Sequence, residues 1–271
     1  MLGLGVSATS VDSTATAFTN EHSLELDGVD DFVDLGSSNL LRPAIEDGIS
    51  LSIWCKWADI TTATSRIFSN SSDPSANPAT SSSYYGISCN KNAAGKLAMS
   101  TGDGGGRGSD DRKTAQTSSV VVENNTWHHI VFSWGGEAVS TFRIYVDGTA
   151  KAVSTSGSGG NNAYLNDVDT FIGKRVTSVA QFGNGFIDEV TFFNTALDAE
   201  QVTAIYNNRN PTDMSSPVSP GAGFQLGYWR MGDHLHGPAG FPRIINQTHG
   251  TTKHNGVMTN MTSADIVADA P

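Results

Sequence analysis

The sequence predicts an all-β chain: two antiparallel sheets packed as a sandwich, with one short helix near residues 198–207. Three observations carry this. Short apolar runs alternate with period two. Gly is 29 of 271 residues, with abundant Ser, Thr and Asn between the runs, while charged residues are only 16%. Only once do the apolar residues switch to helical spacing.

That switch lies in Gly185 to Tyr206, GFIDEVTFFNTALDAEQVTAIY. As a regular strand, it would put Phe186, Asp188, Val190 and Phe192 on one face and Ile187, Glu189, Thr191 and Phe193 on the other. Asp198 then reads as an N-cap with Gln201 at N3, a capping box, flanked by Leu197 and Val202 as a hydrophobic staple. Val202, Ile205 and Tyr206 share one face of the short helix.

From the N-terminus, residues 1–20 (MLGLGVSATSVDSTATAFTN) have no basic residue ahead of a weak apolar run, so they read as an arm and not as a signal peptide. LELDGVDDFVDLG at 24–36 gives a strand, a turn at Asp27-Gly28 and a second strand. Ser50 to Trp57 alternates, with Leu51, Ile53, Cys55 and Trp57 on one face. Shorter strands are expected at Arg66 to Ser69, Tyr84 to Cys89 and Lys96 to Ser100. The stretch 73–83 between the first two reads as an exposed loop, and so does Gly102 to Ser118 (GDGGGRGSDDRKTAQTS). Its Asp103, Asp110 and Asp111 do not match the spacing of a helix-loop-helix calcium site, and no phosphate-loop motif is present.

TWHHIVFSW at 126–134 is a strand, and FRIYVDGTAKAV is a hairpin turning at Asp147-Gly148. Adjacent His128 and His129 point to opposite faces, one packed and one solvated, and make a poor chelate. FIGK at 171–174 is the next strand. After the helix, the Pro-containing stretch 211–223 reads as a linker. Gln225 to Met231, Ile244-Ile245 and Val257-Met258 read as further strands, which must join another sheet to bury a core.

Net charge is −11, which excludes a basic nucleic-acid groove. No run approaches the roughly 20 apolar residues of a membrane span, so no membrane insertion is expected. Cys55 and Cys89 lie outside any zinc spacing; they are either two buried apolar residues or a disulfide.

Taken together, SLELDGVDDFVDLG (23–36), SLSIWCKW (50–57), TWHHIVFSW, FRIYVDG and GFIDEVTFFNTALDAEQVTAIYN (185–207) resemble, in order, the laminin-G-like, concanavalin A-like jelly-roll lectin superfamily. The resemblance implies a jelly roll with core 21–210. It also implies a permutation. YWRMGD and GVMTNMT, which open the domain in that family, stand here within 224–271 and complete this sandwich or a neighbour's. The tail ending TNMTSADIVADAP also resembles laminin-G-like proteins of marine phage. That implies a virion structural protein, such as a head decoration, fibre or tail-associated protein, assembled in the host cytoplasm, with host-surface glycans as ligands. The alternative is an extracellular, secreted or cell-surface carbohydrate-binding protein. The partners of the virion protein would be other virion proteins or further copies, met through the arm and the tail.

No ExDxxE run or nucleophile elbow is present, so no catalysis is expected. The superfamily's structural Ca²⁺ would map to the Asp27 to Asp31 turn, with Gly28, Asp30 and Asp31, together with inward-facing Asp188. For glycan contact, Tyr84, Tyr85, Asn90 and Asn92 cluster around one loop and strand end, and Trp54 faces away from the apolar side of its strand.

Overall fold

A computed structural model of the chain describes residues 18–37, 48–70, 85–103, 112–136, 138–157, 169–175, 181–233, 241–248 and 254–271. β1 (Ser23–Asp27) and β2 (Phe32–Ser37) come first, then β3 (Ile49–Lys56) and β4 (Ser65–Ser69). β5 (Tyr85–Lys91), β6 (Leu97–Asp103) and β7 (Arg112–Thr117) pair in succession. β8 (His128–Trp134), β9 (Arg143–Val146), β10 (Thr149–Lys151) and β11 (Val153–Ser156) follow, then β12 (Asp169–Ile172) and the long β13 (Asn184–Phe193). After helix α1 (Ala199–Tyr206) come β14 (Gln225–Trp229), β15 (Arg243–Ile244), β16 (Gly256–Thr259) and β17 (Ile266–Val267).

The strands make two antiparallel sheets. One, eight-stranded, runs β10-β9-β8-β3-β13-β1-β17 with β14 also on β13; the other, nine-stranded, runs β11-β7-β6-β5-β4-β12-β2-β16-β15. Between them lies one core, with Leu24, Ile53 and Phe132 from the first sheet against Val33, Phe68 and Met99 from the second. The rings of Phe68 and Phe192 meet across it at 5.0 Å. Strands after the helix enter both sheets: β14 and β17 extend the first, and β16 pairs with β2 in the second. The tail therefore completes its own chain's sandwich.

The turn at Asp27-Gly28 does not close a hairpin. β1 and β2 belong to different sheets, so the turn carries the chain across the core, and Leu24 and Val33 converge on it from opposite sides. At the other predicted turn the hairpin is real. Asp147 (φ 51°) and Gly148 (φ 73°) are both left-handed, as a two-residue turn between twisted strands requires, and they join β9 to β10.

Helix α1 begins as its residues dictate. Asp198 accepts from the Gln201 amide at 2.8 Å and the Gln201 side chain accepts from the Asp198 amide at 3.0 Å. Leu197, Val202 and Ile205 join Val131, Tyr145, Phe193, Met214 and Tyr228 in a second apolar cluster on the outer face of the eight-stranded sheet. Met214 and Ser219 are buried, so the stretch 211–223 is anchored on the fold at these two residues, while Val218 between them is 88% exposed. The expected loop 102–118 is shorter at both ends, because β6 runs to Asp103 and β7 starts at Arg112. Asp110 and Asp111 lie outside the described residues. Cys55 and Cys89 are free thiols buried in the core. No helix among the described residues is long and apolar enough to cross a membrane.

Candidate functional site

The two outer faces differ in what covers them. On the eight-stranded sheet, α1 and the following segment cover the strands around Trp54, Val131 and Tyr145, while Glu25 toward the β1 edge stays exposed. Trp54, a sugar-stacking candidate by sequence, is 2% exposed there; it stacks on Tyr206 at 5.9 Å and meets the His129 ring at a tilt at 5.2 Å. Both histidines are buried, against the expectation that one would be solvated. His128 bonds Asp147 through Nδ1 at 2.8 Å and accepts the Glu123 amide through Nε2 at 3.0 Å. His129 meets Ser52 Oγ at 2.8 Å beneath the helix, and burial pushes its pKa down to about 3. A period-two pattern reports which face a residue takes, but not that a helix will cover it.

On the nine-stranded sheet no described helix covers the outer face. Ile87, Cys89, Leu97, Met99 and Ala115 face the core, so their neighbours face out. Ser69, Ser88, Ser100 and Thr114 stand opposite one another on β4, β5, β6 and β7; Ser69 and Ser88 are buried, and Ser100 and Thr114 are half-exposed. Beside them runs a second row, Arg66, Asn90, Ala98 and Gln116, on the same strands. Ser100 and Thr114 share a hydrogen bond of 3.1 Å. The Arg66 guanidinium is held flat: Nε donates to Gln181 Oε1 at 2.8 Å, and Nη1 donates to Ser88 Oγ at 3.1 Å and Asn90 Oδ1 at 3.2 Å. Short hydroxyls, amides and one oriented guanidinium offer the donors and acceptors that sugar hydroxyls require.

Of the four residues expected to contact glycan, Asn90 lies in the second row and Asn92 borders it just past the end of β5. The Asn92 carbonyl caps the β5–β6 turn by accepting the Ala94 and Lys96 amides, and its amide group donates to Gln116 at 2.9 Å. Tyr84 and the side chain of Tyr85 lie outside the described residues. Arg66, Ser88, Ser100 and Gln116 were not anticipated. Their signal was present in the alternation of each strand, but the row they form needs the inter-strand register.

The acidic turn between β1 and β2 gathers three of the expected metal ligands. Carboxylate oxygens of Asp27, Asp30 and Asp31 lie within 4.8 Å of one another. Gly28 permits the turn at φ +79°, where an added Cβ would meet Asn184 Cβ at 2.9 Å. Asp27 accepts the Val29 and Asp30 amides at 2.7 and 3.2 Å, and although burial works to raise its pKa, those bonds hold it low. Burial, with the negative charges of Asp27, Asp265 and Asp30, pushes Asp31 up to about 6, although the Asp27 amide opposes this. Hard oxygens crowded in this way suit Ca²⁺.

Asp188 is not among them. The register places Asp27 opposite Asn184 and Leu24 opposite Ile187, so Asp188 lies beyond the far end of β1, four strand positions or roughly 13 Å away. It sits at a bulge. Asp188 faces Trp54 and Thr191 faces Ser52, so two residues of β13 oppose one of β3, and the extra one, Glu189, is left-handed at φ 48°. The bulge reverses the strand's parity, which places Ile187, Val190 and Phe192 in the core while Phe186 stays half-buried. It also falls where β1 and β14 meet end to end along β13.

There the two carboxyls are buried and fully engaged. Asp188 accepts from Asn20 Nδ2 at 2.9 Å, the Glu189 amide at 2.8 Å and the Met231 amide at 3.2 Å. Glu189 accepts from Tyr228 Oη and from Arg230 Nε, the latter at 2.9 Å. Burial, with the Glu189 charge, drives the Asp188 pKa well up. Burial outweighs Arg230 and lifts Glu189 to about 7. Arg230 reaches on to the Thr19 carbonyl and lies over the Phe18 ring at 4.4 Å, and Asp233 bonds His22 at 2.8 Å. This cluster ties the N-terminal segment to the tail.

A sequence profile described as the concanavalin A-like lectin/glucanases superfamily matches residues 27–203. The chain belongs to this superfamily. Among solved structures, a candidate carbohydrate binding protein from Bacteroides ovatus ATCC 8483 superposes with a TM-score of 0.55 at 13% identity, over 90% of this chain and 60% of that one. The CBM40 of a Ruminococcus gnavus IT-sialidase, bound to α2,3-sialyllactose, superposes at 0.50 with 12% identity, over 69% of this chain and 98% of that one. At such identities the likeness is one of fold. No curated protein matches the chain.

Proposed function

We propose that this chain is a non-catalytic glycan-binding protein whose ligand lies on the outer face of the nine-stranded sheet, and that it works as a surface component of a virion. The observation that carries the binding reading is the paired rows on β4 to β7, with Ser88, Asn90 and the held Arg66 at one end. Catalysis finds no support there, since the described side chains of those four strands include no carboxylate. Asp188 and Glu189, adjacent acids elsewhere in the fold, are buried and engaged in knitting the chain together.

The virion setting is supported by the tail's likeness to marine phage proteins, and a secreted carbohydrate-binding protein is the competing setting. A glycan array run with full-length protein tests the binding reading: specific binding is expected, with tenfold loss or more in Asn90→Ala. Silence from a folded protein rejects it. Detection of the chain in purified virions by mass spectrometry tests the setting; its recovery from culture medium in the absence of virus would favour secretion.

A structural Ca²⁺ at Asp27, Asp30 and Asp31 belongs to the same proposal. Calcium is expected to raise the melting temperature, and Asp31→Asn to abolish that rise. An identical melt in calcium and in chelator rejects the site.

A further inference from the structure

We infer that the glycan recognised on this face is an acidic one, held through its carboxylate or sulfate at a corner built by Lys174, Phe182 and Arg66. The inference rests on the glycan-binding reading above. With a net charge of −11 the protein repels anions at long range, so an anionic ligand needs a local reason to bind.

The corner supplies one. Lys174 bridges to Phe182 just beyond β12, and the Arg66 amide donates to the Phe182 carbonyl at 3.3 Å, so the Phe182 backbone runs between two cations. The Lys174 ammonium lies 3.9 Å from the Phe32 ring centre and 4.7 Å from that of Phe171. Among the described residues it has no carboxylate partner. Aromatic faces hold an ammonium in place without neutralising it. The nearest carboxylate on the opposing strand, Asp34 across from Phe171, turns an oxygen to the Gly36 amide at 2.7 Å.

On the other side, Gln181, Ser88 and Asn90 take the Arg66 N–H groups and fix the guanidinium, so Arg66 adds a stationary positive charge to the corner and Lys174 supplies the direct contact. The half-buried Phe182 ring, 6.3 Å from that of Phe32, offers a face for a sugar ring between the charges. A neutral sugar could return hydrogen bonds to the ammonium but no opposite charge, whereas an acidic one returns both.

The test compares dextran with dextran sulfate and polygalacturonate by affinity electrophoresis of the full chain, using Lys174→Gln and, as a control, Lys151→Gln on β10 of the other sheet. Retardation by one of the acidic polymers but not by dextran is expected. Lys174→Gln should weaken it tenfold or more at an unchanged melting temperature, and Lys151→Gln less than twofold. Equal losses in the two variants would mean long-range charge and no corner. Neutral glycans bound on the array, with affinity unchanged in Lys174→Gln, would overturn the acidic inference and leave the glycan reading standing. A folded protein that binds neither class would end both.

Discussion

The two outer faces of the sandwich are built on opposite terms. On the eight-stranded sheet, His129 is sealed beneath α1, and the buried acids Asp188 and Glu189 are matched by named donors where β1 and β14 meet. On the nine-stranded sheet, the outward Ser100, Thr114 and Gln116 of β6 and β7 stay half-exposed, beside the exposed Arg112 on β7 and the held Arg66 on β4. Polar groups under cover serve architecture because removing one strands its partner, whereas those facing out are cheap to change and free to bind.

The sharpest way to break that contrast is Arg230→Met. It leaves Glu189 buried without its cation and releases Thr19, and removing one partner of such a pair costs about 3–5 kcal/mol. Urea unfolding should show a loss of that size, and a loss under about 1 kcal/mol would mean that the cluster is not architectural. Next is Ile205→Ala, which cuts a residue 3% exposed out of the outer cluster and should cost about 2–4 kcal/mol by the same measurement.

How far this contrast could be read in advance differs by element. Asp198 and Gln201 announce the helix start because capping is local, decided within four residues. The β13 bulge is not local. Glu189 adopts a left-handed backbone because β1 and β14 compete for the same edge of β13, and nothing in IDEV encodes two partners arriving from opposite ends of the chain. For the same reason the sequence pattern groups Asp188 with acids that the register places about four strand positions away. The Asp27 to Asp31 turn was legible, since its ligands are sequence neighbours. The Ser69 to Thr114 row was not, since each member comes from a different strand.

A smaller effect comes from pH, and its signs separate the buried groups. The folded-state pKa of Glu189 is raised to about 7 from an ordinary 4.5, so its protonated form stabilises the fold. That stability is fully present below about 4.5 and is lost as pH rises through 7. Asp31, raised to about 6, contributes in the same direction. His129 works the other way. Its depressed pKa means that stability is present above 6.5 and is lost as pH falls toward 3. Glu189→Gln, less stable throughout, should flatten the decline between pH 4.5 and 7 in urea midpoints, leaving the share due to Asp31. An unchanged slope would show that Glu189 does not titrate in that range.

The smallest expected stability change tests the open face. Ser100→Ala on β6 removes a hydroxyl whose partner, Thr114 Oγ1, is half-exposed and can turn to water, so no buried group is stranded. Its cost should fall within about 0.5 kcal/mol, as for a surface substitution away from special features. Binding is where the change should register, because a glycan lying along the row would cover both atoms and lose a hydrogen bond that water cannot replace. A severalfold weaker affinity at an unchanged melting temperature is therefore expected. A loss above about 1 kcal/mol in stability, with affinity intact, would make the row architectural like the opposite face and move the search for the ligand off these strands.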